Sequence, residues 1–122
     1  PTVEVWKSPT CQCCSKWAQH LRDNGFNVNV HSETDLKPLK ARLGVPPNLA
    51  SCHTAQAGDY VIEGHVPAED IRRLLTEKPA VKGIAVPDMP IGSPGMELGD
   101  QKDPYEVMAF QAAGEPVVYA RH

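Results

Sequence analysis

Three of the four cysteines in this 122-residue chain lie within four positions, in the stretch SPTCQCCSKWAQHL. From Cys14, apolar residues recur at offsets of three, four and seven, which predicts an amphipathic helix that begins at the cysteines. A helix N-terminus presents free backbone N–H groups and a partial positive charge, so it favours the thiolate form of cysteine. Since a thiolate is both a nucleophile and a metal ligand, the spacing of Cys11 and Cys14 fits dithiol exchange and metal binding equally well.

The two other cysteines decide between these chemistries. In an ideal helix Cys13 projects away from the face that Cys11 and Cys14 share, so it joins them only if the turn is not yet helical or if a multinuclear site reaches around. Cys52 lies at the start of a predicted hairpin, in the sequence SCHT, where thioredoxin-like proteins normally carry a cis-proline. The alternatives are that Cys13 is a small buried apolar residue and that Cys52 is a half-buried cysteine of the strand. We predict that His53 faces the opposite side of the strand from Cys52, and its role as a ligand stays open.

A second segment, VPDMPIGSPGMELGD over Val86–Asp100, carries Met89 and Met96 between prolines and glycines. Methionine usually fills gaps in a core, but this segment has no periodicity that would direct the two side chains inward. A proline-stiffened loop with two thioethers suits a lid over a site for a soft metal. Met108, in a predicted short helix over Pro104–Ala112, is instead assigned to core packing.

The types of candidate ligand select the metal. Thiolate and thioether together favour Cu(I), whereas zinc has little use for a thioether, and the chain has no second CxxC and no HxxxH. Iron–sulfur clusters need about four well-spaced thiolates, and the adjacency of Cys13 and Cys14 is awkward for them. Four thiolates exceed what one Cu(I) of low coordination number uses, so we predict bridging sulfurs and more than one copper ion.

The remaining histidines show no metal-ligand spacing, and we predict that they lie on the surface. For the histidine at the C-terminus a ligand role stays open. These residues are His20, His31, His65 and His122.

The net charge of −3 and the pI near 5.9 give no electrostatic argument for nucleic-acid binding. No apolar stretch approaches the roughly 20 residues that a membrane span needs, so we predict no membrane insertion. The chain starts at Pro1, and removal of the signal peptide of an exported protein is one explanation.

Strand and helix patterns alternate along the first two thirds of the chain, in an order that matches a thioredoxin-like layout, so we predict an α/β fold. Residues 83–122 carry two basic and six acidic groups and are predicted as a Pro/Gly-rich C-terminal extension. We expect one domain over 1–122, on which 83–104 packs as a Met-bearing loop. The predicted elements are a strand at Val3–Trp6, the helix after the cysteines, a half-buried strand at Phe26–Val30, a short helix over Leu36–Leu43, a hairpin over 50–66, a helix opened by Pro67 and a last strand at Pro116–Ala120.

Three motifs, CQCC, SCHT followed by GDYVIEGHVP, and GIAVPDMPIGSPGME, resemble the CopG-type copper-resistance proteins over about residues 3–120. These are small exported bacterial proteins once described as a domain of unknown function. The resemblance implies a thioredoxin-like fold, a periplasmic location in a Gram-negative bacterium and a cysteine-bridged cluster of several copper ions. It also implies a role in interconverting Cu(I) and Cu(II), or in handling copper for periplasmic efflux or carrier proteins. The ligand set that it implies is Cys11, Cys13, Cys14 and Cys52 as thiolates, with Met89 and Met96 as thioethers.

Three functions therefore compete. The leading hypothesis is a copper-binding protein of periplasmic metal tolerance. The second is a thiol–disulfide oxidoreductase in which Cys11 attacks and Cys14 resolves. The third is a structural disulfide between Cys52 and one of these two cysteines, with the Met-bearing loop engaging a partner protein.

Overall fold

A single mixed sheet of seven strands organises the chain, and a computed structural model describes all of its residues, 1–122. Three α-helices and one 3₁₀ turn complete the fold. In chain order the elements are β1 (Thr2–Lys7), α1 (Gln12–Asp23), β2 (Asn27–Ser32), α2 (Lys37–Leu43), the 3₁₀ turn (Pro47–Leu49), β3 (His53–Ala57), β4 (Tyr60–Gly64), α3 (Ala68–Glu77), β5 (Gly83–Val86), β6 (Glu106–Phe110) and β7 (Val117–Arg121).

The strand directions bring four connecting segments to one end of the sheet. The strand order is β2-β1-β3-β4-β5-β6-β7, with β1–β2 and β4–β5 as parallel pairs and all other pairs antiparallel. Strands β1, β4 and β5 therefore run in one direction and β3 in the other. The segments that follow β1, β4 and β5 and the segment that precedes β3 all leave the sheet at the same end, which we call the cysteine end.

The hydrophobic core is divided by the sheet, because neighbouring residues of a strand point to opposite faces. On one face, α1 and α3 pack on the sheet through Trp17, Leu21, Ile71 and Leu74, all of which are fully buried. A smaller cluster lies on the other face, where residues after α2 meet the sheet: Val45, Leu49, Val61, Ala85 and Phe110.

Most predicted elements of the first two thirds of the chain are confirmed. The helix after the cysteines buries Cys14, Trp17, Ala18 and Leu21, which is the face that the spacing predicted. The hairpin of β3 and β4 and the helix after Pro67 also form as predicted. The strand β2 differs, because it is an edge strand in which only Val28 is half-buried and the other residues are exposed.

The predictions for the last third of the chain need correction. Residues 83–86 are not part of a loop but form β5, which is buried along its whole length. The predicted helix over Pro104–Ala112 is wrong, because Glu106–Phe110 form the strand β6. Together with the correctly predicted last strand, these segments extend the sheet instead of lying on it as an extension. Met108 is half-buried against the smaller core cluster, in agreement with its assignment to packing.

Membrane crossing by a helix finds no support in the structure. None of the three helices combines the length and the apolar composition that a bilayer span requires.

Candidate metal centre

The first wall of the site is the N-terminus of α1. Cys11 is the N-cap residue, with an extended backbone, and its Sγ accepts a hydrogen bond from the backbone N–H of Cys14 at 3.3 Å. A sulfur thus takes the place that a hydroxyl or carboxylate oxygen usually occupies in a helix cap. Cys11 and Cys14 are joined by a disulfide, so the structure represents the oxidised state of this pair.

Cys13 lies with the other two sulfurs, although an ideal helix would separate them. Its Sγ is 3.4 Å from that of Cys11. The reason is that Cys11 has a non-helical backbone (φ −79°, ψ 100°), so its side chain folds back over the first turn. The condition stated from the sequence, that the turn is not yet helical, is met.

Cys52 brings the fourth sulfur to the cysteine end of the sheet. It lies in the segment between the 3₁₀ turn and β3, which starts at His53. The Sγ atoms of all four cysteines lie within 4.8 Å of one another. Sulfurs from two distant parts of the chain therefore form one cluster of a size that metal ions can bridge.

The loop between β5 and β6 covers this cluster, and it contributes one thioether. The Sδ of Met89 is 3.9 Å from the Sγ of Cys13, and Met89 is 47% exposed. Met96 is half-buried and is held through its backbone, and its thioether makes no hydrogen bond with a cysteine. The two methionines predicted as equivalent therefore differ in the structure.

Close backbone contact holds the loop on the helix wall. Gly95 has φ +94°, and a Cβ there would lie 2.7 Å from the carbonyl oxygen of Cys13 and 3.0 Å from Nδ1 of His65. No L-residue fits this place without a shift of the loop or of the helix N-terminus. The absence of a side chain at this position thus allows the loop to pack directly on the N-terminus of α1.

His65 is the residue of this site that the sequence interpretation missed. It was predicted on the surface, but it is fully buried, and its Nε2 is 3.0 Å from Sγ of Cys52. Its Nδ1 is 2.7 Å from the carbonyl oxygen of Pro94, which can only accept, so Nδ1 carries the hydrogen. The lone pair of Nε2 then faces the Cys52 thiol. A histidine whose second nitrogen donates to a backbone carbonyl has the arrangement typical of metal-ligating imidazoles.

His53 is a buried neighbour of the same thiol. Its Nδ1 is 3.3 Å from Sγ of Cys52, its ring packs on Trp17 with centroids 4.3 Å apart, and its Nε2 has no hydrogen-bond partner. The prediction that His53 turns away from Cys52 is therefore wrong, because Cys52 precedes the regular part of the strand.

The other histidines lie away from the sulfurs. His20 is half-buried and accepts a hydrogen bond from the backbone N–H of Ala68 at 3.1 Å, so it caps α3 instead of lying free on the surface. Of this group only His31 is exposed as predicted. Nε2 of His122 lies 2.7 Å from Oδ2 of Asp70, and His122 forms a separate group of side chains with Asp70 and Glu69.

Burial sets the protonation states of the site. It raises the pKa of the Cys52 thiol to about 12, with the neighbouring Cys13 as the next cause. Burial also lowers the pKa of His65, and it lowers that of His53 well below its usual value. In the metal-free protein at neutral pH, Cys52 is thus a thiol and both imidazoles are neutral, which is their metal-binding form. A bound metal must displace the Cys52 proton.

The chemistry of these donors suits a soft metal ion. Thiolate sulfur, thioether sulfur and neutral imidazole are all good ligands of copper, and none of them is the hard oxygen ligand that calcium or magnesium requires. The cysteine cluster is therefore able to bind a metal once the disulfide is reduced.

Of three comparisons with known proteins, two give matches and one gives none. A family model described as "Protein of unknown function, DUF411" matches residues 49–96, which include Cys52, His65 and both loop methionines. Two solved structures described as copper resistance protein copG, form 1 and form 2, share 44% identity with the chain at a TM-score of 0.93. They cover 99% of this chain, which covers 96% and 97% of theirs. No curated protein matches the chain.

Proposed function

Because the chain belongs to the family of the copper resistance protein copG, we propose that it binds several Cu(I) ions in a cysteine-bridged site and serves copper tolerance. The observation that carries this proposal is the cluster of four Sγ atoms within 4.8 Å of one another. Four thiolates give more donor atoms than a single Cu(I) of low coordination number uses, so sulfurs shared between copper ions account for the whole set.

The proposed ligands come from the N-terminus of α1 and from the segments that face it across the site. The thiolates neutralise the charge of the copper ions, and a thioether and an imidazole complete the coordination from the loop side. Met96 is the second thioether of the set and, since its thioether makes no hydrogen bond with a cysteine, we rank it as the weaker ligand. The full set is Cys11, Cys13, Cys14, Cys52, Met89 and Met96, to which the geometry of its Nε2 adds His65.

A redox role fits the disulfide between Cys11 and Cys14. The two thiols supply two electrons, which reduce two Cu(II) ions to Cu(I), while the disulfide forms and two protons are released. A thiol reductant then regenerates the pair. This step accounts for a dithiol placed beside a copper site, and it makes the protein a reductant of Cu(II).

The cellular setting is part of the proposal. We place the protein in the periplasm, where it receives copper from, or passes it to, efflux or carrier proteins.

The strand order β2-β1-β3-β4, with β1 parallel to β2 and β3 antiparallel to both neighbours, supports a thioredoxin-like core within the larger sheet.

Anaerobic titration of the fully reduced protein with Cu(I), against a competing chelator, tests copper binding directly. We expect more than one Cu(I) per chain, bound with a dissociation constant well below micromolar. X-ray absorption should show mainly sulfur neighbours around copper and short copper–copper distances. Protein whose thiols have been alkylated is the control. Binding of less than one equivalent, or binding in the micromolar range, would contradict the proposal.

A second function, thiol–disulfide exchange with protein substrates, is favoured by the disulfide at the start of α1. It requires that, once this disulfide is reduced, the Cys11 thiolate attacks the disulfide of the substrate and Cys14 resolves the mixed disulfide. Catalysis of insulin reduction by dithiothreitol tests it. Acceleration by the wild-type protein that is lost in Cys14→Ser would rank this function first, whereas no acceleration would eliminate it.

A further inference from the structure

The segment that carries Cys52 lies outside the sheet. β3 begins at His53, and the 3₁₀ turn ends at Leu49, so residues 50–52 lack the ladder hydrogen bonds that fix a strand. Side-chain hydrogen bonds hold the segment instead. The backbone N–H of Ser51 donates to Oε2 of Glu63 at 2.7 Å, and its Oγ donates to the carbonyl oxygen of Asp88 at 2.9 Å.

Glu63 is a fully buried carboxylate on which three donors converge. Besides the Ser51 amide, it accepts hydrogen bonds from the hydroxyl of Thr54 at 2.6 Å and from Nζ of Lys40, which also donates to Thr54 Oγ1 at 2.8 Å. A buried charge is tolerated only when it is paired and hydrogen-bonded on all sides. The position of Glu63 thereby fixes the positions of its donors.

Three segments of the metal site are connected to this one carboxylate. Cys52 follows Ser51 directly, and Met89 follows Asp88, the residue that Ser51 Oγ holds. His65 is two residues after Glu63, separated from it by Gly64, whose φ is +78°. A Cβ at Gly64 would collide with the carbonyl oxygen of Val86 and with the side chain of Ser51, so these segments are in close contact.

We propose that Glu63, paired with Lys40, is the positioning residue of the copper site, because through the Ser51 amide it sets where the Cys52 sulfur stands relative to the sulfurs of α1. The copper part of this inference rests on the function proposed above. A carboxylate is required at this position, since its two oxygens only accept. Glutamine has one accepting oxygen and one NH₂ group, so it cannot accept from all three donors: either the Thr54 hydroxyl must turn from donor to acceptor, or the Ser51 amide and Lys40 must face the NH₂ group.

The first test measures the reactivity of Cys52 without copper. In reduced, metal-free Glu63→Gln we expect iodoacetamide to alkylate Cys52 about tenfold faster than in the wild type, while the rate for Cys13 in the same sample changes by less than about twofold. Peptide mass spectrometry separates the two sites. Ile71→Val, a fully buried core change in α3, a helix that makes no hydrogen bond with Ser51 or Glu63, controls for lost stability. Equal rates in wild type and Glu63→Gln would overturn the proposal.

The second test measures Cu(I) affinity by chelator competition. Substitution of the partners that orient metal ligands typically costs about 10- to 100-fold in affinity, and we expect Glu63→Gln to fall in this range. Lys40→Met, which leaves the carboxylate without its cation, should shift affinity and Cys52 reactivity in the same direction. Ile71→Val should keep the wild-type affinity. A loss in Ile71→Val as large as that in Glu63→Gln would reduce Glu63 to a purely structural role and overturn the proposal.

The two tests fail independently. If wild-type protein does not bind Cu(I), the proposed function falls, but the alkylation rates still decide whether Glu63 positions Cys52. If Glu63→Gln does not fold, Lys40→Met decides, because Glu63 can then take up a proton instead of remaining an unpaired buried charge. Wild-type alkylation and wild-type copper affinity in Lys40→Met would then overturn the proposal.

Discussion

The cysteine site has two walls that are built in different ways. The helix wall, residues 11–14, comes from one short stretch and is arranged by local backbone: an extended cap residue followed by the first turn of α1. The loop wall consists of Cys52, His65 and Met89, which come from three segments at the cysteine end of the sheet. No local rule places these three residues, so tertiary contacts must do it.

The contacts that fix the loop wall are hydrogen bonds and close packing between connecting segments. Pro94 orients the ring of His65, Ser51 links the Cys52 segment to the loop, and Gly95 allows the loop to touch the helix wall. The helix wall should therefore respond only to changes of its own cysteines. The loop wall should also respond to changes at residues that never touch a metal.

The largest effect should come from the single thiolate of the loop wall. We expect Cys52→Ser to weaken Cu(I) binding by more than about 100-fold, which exceeds the typical loss of an orienting partner. Cys13→Ser should cost less, because the helix wall keeps two thiolates. Chelator competition with the reduced proteins measures both. Equal losses would show that the two walls contribute alike.

Gly95→Ala should break the packing between the walls. The new Cβ would lie 2.7 Å from the carbonyl oxygen of Cys13, so the loop or the first turn of α1 must shift. Gly114 is a matched control, since its φ of +96° imposes similar backbone strain on alanine but no atom lies within 4 Å of its Cβ. We expect Gly95→Ala to lose about 1–3 kcal/mol more of the free energy of unfolding than Gly114→Ala. Urea denaturation measures this difference, and equal losses would mean that the loop does not press on the helix wall.

The same division explains what the sequence predicted and what it did not. The helix wall was predictable, because cap, helix face and cysteine spacing all lie within one window of sequence. Cys52 was predicted from its place at the start of the hairpin. His65 was not, because it comes 13 residues after Cys52, with no ligand motif. Only the shared direction of β1, β4 and β5 brings it to the cysteines. The predicted hairpin therefore places His65 near the cysteines only once the strand order is known.

The two wrong predictions about the fold, at β5 and β6, arose because a short window of sequence does not determine its secondary structure. The strand β5 is buried on both faces, so its sequence Gly-Ile-Ala-Val is a short apolar run without the alternation that marks a half-buried strand. The strand β6 was mistaken for a helix because Val107 and Phe110 are three residues apart, and in a run of five residues that spacing does not distinguish the two states. Pairing with neighbouring strands decided both cases.

The two methionines provide a smaller test of the loop wall. Met89→Leu removes the thioether that lies 3.9 Å from Cys13 and keeps an apolar side chain of similar size. We expect it to weaken Cu(I) binding, by less than about tenfold, the lower limit for an orienting partner. Met96→Leu should have a smaller effect, because its thioether makes no hydrogen bond with a cysteine. X-ray absorption would show the loss of one sulfur neighbour in Met89→Leu. A larger effect from Met96→Leu would reverse the assignment of the two thioethers.

The smallest effect on the site is expected from His20, which lies on the same helix as the cysteines but at its far end. Its Nε2 accepts the backbone N–H of Ala68, and burial lowers its pKa below the usual 6.5. Below pH 6.5 the unfolded chain therefore takes up the proton before the folded protein does, and the stability that His20 contributes is lost as the pH falls further. A hydrogen bond that caps a helix N-terminus is worth about 0.5–2 kcal/mol.

His20→Gln keeps an acceptor that does not titrate, so its free energy of unfolding should decrease less than that of the wild type between pH 7.5 and pH 5. Urea denaturation of the metal-free, oxidised proteins gives the two curves. The other buried histidines titrate in both proteins, so the difference between the curves isolates His20. The copper affinity of reduced His20→Gln should equal that of the wild type, because the helix wall is arranged by its own cap and first turn. A clear loss of affinity would mean that the helix wall, too, depends on distant contacts, and the contrast between the two walls would fail.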